Sequence, residues 1–212
     1  MTKTIPPRGE RIAALITTLV LARHGKAPKT SPDQRDEDRV LNELGTTQAN
    51  KLAAKIGHIQ FDRVLSSPLK RAVDTTEIAT GQKCTVTIIP ELTCPTDGVH
   101  PIDKMFNELG YKPMSDYFAH PLGGHLKVWG RVALEKVLDA LGDKPNQTVL
   151  VGGHAVLQNA LGWAFCAELV EADVAIAPDA MDCVLATSLG ECEAFSLSLC
   201  EGVVSCEHIK LD

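Results

Sequence analysis

Aromatic residues are scarce in this chain of 212 residues: two Trp, two Tyr and five Phe make up 4% of it. A core must therefore be built from Ala, Val, Leu and Ile. At 44% hydrophobic and 23% charged, the length suffices for one well-buried domain over residues 1–212. Positive charge is in deficit. Lys and Arg number 21 against 27 Asp and Glu, a formal net charge of −6. That balance argues against a nucleic-acid or membrane partner and fits an acidic surface around a small, locally basic pocket. Long apolar runs are missing as well. Ile12–Ala22, preceded by Lys3, Arg8 and Arg11, imitates a signal-peptide core, but it is too short to span a bilayer and lacks a small-x-small cleavage site. Residues 1–11, with Pro6-Pro7-Arg8-Gly9, read as a loose arm. No His-x-x-x-His or Cys-x-x-Cys pair offers metal ligands, so neither metal nor cofactor is expected. The seven cysteines (Cys84, Cys94, Cys166, Cys183, Cys192, Cys200 and Cys206) are an odd number without metal or redox spacing. They read as reduced thiols of a cytoplasmic protein, and no disulfide is expected.

What is present is an alternation of strand and helix patterns. It predicts a three-layer α/β/α fold, a mostly parallel sheet with an antiparallel edge. Ala49, Leu52, Ala53 and Ile56 follow the i, i+3, i+4, i+7 rule for a buried helix stripe, and Leu69, Ala72, Val73 and Thr76 repeat it. Val99–Leu109, Leu126–Leu141 and Ala155–Phe165 read as further helices, the second closed by Gly142 and Pro145. Thr17–Leu21 and Thr85–Ile89 read as strands. So do Cys183–Thr187, Ala194–Leu199 and Val203–Ile209, joined by short Gly turns at one sheet edge.

Two strings carry the chemistry. Leu21-Ala22-Arg23-His24-Gly25 and Val149-Leu150-Val151-Gly152-Gly153-His154 are aliphatic runs that end at a histidine. Each puts an imidazole at the carboxyl end of a buried strand, where open α/β sheets bind ligands. Between them, Val64-Leu65-Ser66-Ser67-Pro68-Leu69-Lys70-Arg71-Ala72 reads as a strand, then Ser67 as N-cap, then a helix. Arg71 falls in that helix's first turn, where a cation opposes the macrodipole by a few tenths to about 1 kcal/mol. It is comfortable there only beside an anion, and helix N-termini together with Arg suit phosphate.

Taken singly these features are commonplace. Together, Arg23-His24-Gly25, Ser66-Ser67-Pro68-x-x-Arg71-Ala72 and the strand ending in His154 resemble the histidine phosphatase, or phosphoglycerate mutase-like, superfamily. The resemblance runs from about Thr17 to at least Phe165. It implies that His24 is a nucleophile forming a phosphohistidine that water later hydrolyses. Arg23, Arg71 and His154 would grip the oxygens that gain charge in the transition state. A neutral imidazole can attack without a separate base, its other nitrogen donating to a backbone carbonyl.

Many members of that superfamily carry a glutamate two residues after a leucine behind the next strand. Here Leu92 aligns Cys94 with it, so the familiar general acid is missing. Pro90-Glu91-Leu92-Thr93 followed by Asp97-Gly98 is instead similar to the small bacterial phosphohistidine phosphatases, which act on a phosphorylated signalling protein. An imidazole leaving group, pKa about 6.5, departs with little help. An alkoxide, whose conjugate acid resembles water at about 15.7, needs a donor. The expected substrates are thus phosphoramidates, anhydrides or aryl phosphates, on a phosphorylated protein or a small metabolite. Asp97 is the candidate for a remaining acid role and Glu91 the second. Thr30 and Ser31, in the polar loop 28–40, are candidates for contacting phosphate or substrate, and the charged cluster Asp33–Arg39 reads as solvated. Gly110–Lys127 is longer than the minimal connection. The resemblance makes it a cover over the pocket, offering Tyr111, Tyr117, His120, His125 and Lys127. Two other readings stand beside the labile-phosphate phosphatase. One is a broader phosphomonoesterase, or less readily a mutase. The other is a non-catalytic phosphate-binding scaffold.

Overall fold

The structure, a computed structural model, describes residues 6–211. The aliphatic run becomes β1 (Ile16–Arg23). Its side chains alternate: Leu19 and Leu21 enter one apolar layer, Val20 and Ala22 the other, and all four are buried. Two-sided burial is what a central strand of a parallel sheet needs. β1 pairs in parallel with β4 (Gln147–Gly153) and β4 with β2 (Arg63–Ser66). β2 in turn pairs in parallel with β3 (Val86–Ile88). On the far side of β1 lie β6 (Ala194–Cys200), antiparallel to it, and β7 (Val203–Ile209), antiparallel to β6. The two-residue β5 (Ala175–Ile176) closes the edge in parallel with β7. The order is β3-β2-β4-β1-β6-β7-β5.

One face is covered by α1 (Arg8–Leu15), α6 (Gly123–Leu141) and α7 (Ala155–Glu171), the other by α2 (Glu43–Ile56) and α3 (Lys70–Ala79). This is the expected three-layer α/β/α fold. A third apolar body forms where α4 (Pro101–Leu109) and α5 (Met114–Ala119) pack Ile102, Met105, Met114 and Tyr117 against Val156, Leu157 and Ala160 of α7. No helix among the described residues is long and apolar enough to cross a membrane.

Two local expectations are corrected. The arm expected over residues 1–11 is helical from Arg8 onward; residues 1–5 lie outside the described residues. Ile12 is buried, Arg8 bonds Glu135 at 2.7 Å and Glu168 at 2.6 Å, and Arg11 bonds Glu135 and Asp139. Partners on α6 and α7, more than a hundred residues away in sequence, make this helix, so local pattern could not announce it. The strand expected at Cys183–Thr187 is instead the end of α8 (Pro178–Ala186). Pro178 starts it, and Ala180 and Val184, one turn apart, are the buried face. Asn159 of α7 donates to both Val184 O and Thr187 O at 2.7 Å, fixing the helix end.

Candidate functional site

Strand register builds the site. Arg23 pairs with Gly153 across β1 and β4, so His24 and His154 leave adjacent strands side by side. The His24 N–H donates to Gly153 O at 3.0 Å, and the two rings lie 5.2 Å apart at 66°. In the same way Ser66 pairs with Gly152, and the Ser67 N–H donates to Gly152 O at 2.9 Å. This brings Ser67 Oγ to 2.8 Å from His154 Nε2. Ser67 therefore does not cap α3 as its sequence context suggested. The cap position falls to Leu69, which offers no side-chain bond, while the Ser67 hydroxyl, two residues earlier, accepts the Leu69 N–H at 3.3 Å as well as meeting His154. The turn after His24 is held by Thr75 of α3: its Oγ accepts the Gly25 N–H at 3.0 Å and donates to Arg71 O at 2.7 Å.

His24 Nδ1–H donates to Gly25 O at 2.7 Å, which assigns the lone pair to Nε2. Arg71 Nε donates to that Nε2 at 3.2 Å. Burial pushes the imidazole pKa down to about 3; the Gly25 bond opposes this, and Arg71, Arg23 and Arg39 add to it. His154 is likewise held well below its ordinary value, by burial first and then by His24 and the same arginines. Both rings are neutral at neutral pH. The unfolded chain, with ordinary histidines near 6.5, binds the extra proton between about 6.5 and the folded value of about 3. Stability is thus expected to be full above pH 6.5 and to fall as pH drops through that window. Urea midpoints at pH 7 and pH 4.5 measure this, with a smaller loss expected in His24→Gln.

Arg23 is buried, donating Nη1 to Leu189 O at 2.6 Å and Nη2 to the Tyr111 hydroxyl at 3.1 Å; its buried Nε has no partner among the described residues. Arg71 is buried too. Its Nη1 donates to Asp36 O at 2.6 Å and its Nη2 to Asp36 Oδ2 at 2.5 Å. Below the strand ends, Gln158 of α7 donates to Ala22 O at 2.9 Å and Val151 O at 2.8 Å, bridging β1 and β4.

Arg23, His24, Arg71 and His154 line one cavity of about 530 Å³. Thr30, Ser31, Glu91 and Asp97 do not line it. Thr30 bonds Gln34 Oε1 through its N–H and hydroxyl, Ser31 is exposed, and Glu91 lies in the short turn Pro90–Leu92. Asp97 is exposed and accepts the His100 and Val99 N–H groups at 2.8 and 2.9 Å. Those bonds hold its carboxyl below the usual range. The carboxylates that do line the cavity, among the described residues, are Asp36 and Asp103. Asp103 is buried in the first turn of α4 and accepts the Gly98 N–H at 2.6 Å. Its only sequence signal was a place in the helix expected from Val99; Asp36 had none within its charged run. Cys94 also lines the cavity, and burial, helped by Asp103, pushes its thiol up to about 12, so it stays protonated. Of the groups in the 110–127 stretch, Tyr111 and Tyr117 reach the cavity. His120 pairs with Glu108 at 2.9 Å, His125 is exposed, and Lys127 Nζ lies over the Phe118 and Trp163 rings.

Residues 19–93 match the model of the histidine phosphatase superfamily, branch 1. No curated protein sequence matches the chain. Among solved structures, phosphoserine phosphatase from Entamoeba histolytica, in complex with 3-phosphoglyceric acid, aligns with a TM-score of 0.62 at 18% identity, covering 93% of this chain and 98% of its own. The mycobacterial glucosyl-3-phosphoglycerate phosphatase with bound VO3 aligns at 0.57 and 21% identity, covering 92% and 99%. SixA of Agrobacterium tumefaciens aligns at 0.52 and 17%, covering 87% and 93%. At these identities the structural likeness is one of fold. Residues 19–93 thus resemble the histidine phosphatase superfamily, and the fold is shared with these phosphatases over nearly the whole length of the chain.

Proposed function

We propose that the protein is a phosphatase acting through a covalent phosphohistidine at His24 on a labile phosphate, a phosphohistidine protein foremost. The observation that carries this is the convergence on one cavity of a neutral His24 Nε2 with Arg71, His154 and Arg23, whose buried Nε lacks a partner among the described residues. A buried donor without an acceptor costs about 1–3 kcal/mol, and a phosphoryl oxygen supplies the acceptor. Ala155, Val156 and Leu157 bring the N-terminus of α7 to the same cavity, which favours an anion there.

The chemistry runs in two displacements. The Nε2 lone pair attacks phosphorus, an N–P bond forms, and the bond to the leaving group breaks with its electron pair. Water then attacks phosphorus, the N–P bond breaks with its electrons returning to His24, and the water's proton passes to solvent. Asp97 and Glu91 lie away from the cavity and Cys94 keeps its proton. This supports leaving groups that need no proton from the enzyme, such as the imidazole of a phosphohistidine whose second ring nitrogen is already protonated. It departs as neutral imidazole, with a conjugate-acid pKa of about 6.5.

A second reading, a broader phosphomonoesterase, draws on Asp103, whose carboxyl does line the cavity. Phosphate release at matched concentrations from a phosphohistidine protein, an aryl phosphate and a phosphoglycerate separates the two. Fast release from the first two, by at least about tenfold over the third, is the expected result. Preference for the phosphoglycerate, lost in Asp103→Asn, would establish the second reading instead. Silence on all three, with orthovanadate still raising Tm, would leave a phosphate-binding scaffold.

A further inference from the structure

Within the charged run Asp33–Arg39, Asp36 turns toward the cavity. Asp36 is half-buried and clamps Arg71 twice, its backbone carbonyl accepting Nη1 at 2.6 Å and its Oδ2 accepting Nη2 at 2.5 Å. Its other carboxylate oxygen accepts Arg39 Nη1 at 2.6 Å, and Arg39 Nε is anchored on Ala27 O at 2.6 Å. With both terminal nitrogens of Arg71 engaged on Asp36, Nε falls 3.2 Å from His24 Nε2. A guanidinium is planar and its donors sit in a fixed fork, so fixing two nitrogens fixes where the third points.

From this we infer that Asp36 is a positioning residue: it orients Arg71 so that Nε meets the oxygens of a phosphoryl group carried on His24. The inference rests on the phosphatase reading for its catalytic consequence, but the Arg71–His24 contact it describes exists without substrate. Asp36 works through Arg71 and touches neither the His24 ring nor the attacked phosphorus in this geometry. Its charge also opposes an incoming anion, so its removal has two separable effects. Orientation is lost, which lowers kcat; repulsion is relieved, which leaves KM unchanged or lowers it.

Two readouts test this in the full chain. The first is a double-mutant cycle on aryl phosphate hydrolysis, with rates taken per active site from burst amplitudes. Asp36→Asn is expected to lower kcat by about 10–100-fold with Arg71 present, and by less than about twofold in an Arg71→Ala background. An equal loss in both backgrounds, or a faster and tighter-binding Asp36→Asn, would overturn the proposal; the second outcome would make Asp36 a competitor for the phosphate seat. The second readout is the nitrogen NMR signal of His24 Nε2 in unliganded protein. It is expected to move in Asp36→Asn toward its position in Arg71→Ala. An unmoved signal would sink the proposal whatever the activity. A wild type that hydrolyses nothing but shows the shift would sink the phosphatase reading alone.

Discussion

His24→Ala is expected to abolish phosphate release, with a loss of roughly 10⁴-fold or more in kcat, as when other covalent hydrolases lose their nucleophile. No neighbour can take over. His154 is the nearest imidazole, but its Nε2 is committed to Ser67 at 2.8 Å. Cys94 is held as a thiol at about 12. The same substitution leaves Arg23, Arg71 and the N-terminus of α7 in place, so orthovanadate should still raise Tm. Arg71→Ala is expected to cost less, roughly 10²–10³ in kcat, because it removes one charge-stabilising donor and leaves the attacking atom. Steady-state release of inorganic phosphate measures both. An alanine variant at His24 within tenfold of wild type would remove it from the nucleophile's role.

Gly25→Ala is expected to destabilise the protein by about 1–3 kcal/mol. A Cβ there would lie 2.6 Å from Gly45 O, on the first turn of α2, and 3.0 Å from Cys192 Sγ. Backbone blocks one direction and the buried Cys192, in the turn before β6, blocks the other. Relief requires moving the turn that holds His24 Nδ1 on Gly25 O, so kcat should fall together with stability. Gly124 is the control: a Cβ there meets nothing within 4 Å, and Gly124→Ala on the exposed start of α6 should be neutral or stabilising by up to about 1 kcal/mol. Urea denaturation followed by circular dichroism decides both. A Gly25→Ala midpoint equal to wild type would mean that α2 yields easily and that the contact does not hold the turn.

Much of this protein is legible because its decisive signals are local. The aliphatic runs ending at His24 and His154 announced central strands and a ligand edge, and α2 shows the apolar stripe of Ala49, Leu52 and Ile56 as a buried face. The Nδ1 bond that sets the His24 tautomer is likewise a contact between adjacent residues. What the chain order could not reveal depends on partners distant in sequence. The helix at Arg8–Leu15 is held by glutamates on α6 and α7, and α8 is tied to Asn159. Asp97 had the right residue type in the right loop, yet two backbone N–H groups of its own turn claim its carboxylate.

The sequence alone determined that His24 and His154 each end a buried strand of an α/β sheet and that Arg71 needs an anion, because strand pattern and helix polarity follow from nearest neighbours. That the two strands are adjacent came from the sheet register. Only the tertiary structure decided which anion Arg71 holds in the unliganded protein and which carboxylates reach the cavity. Asp36 and Asp103 were chosen over Asp97 and Glu91 by how a surface loop and α4 dock onto the sheet edge. A carboxylate's role is set by the charges and donors that packing brings within a few ångströms, and those contacts are made across the fold.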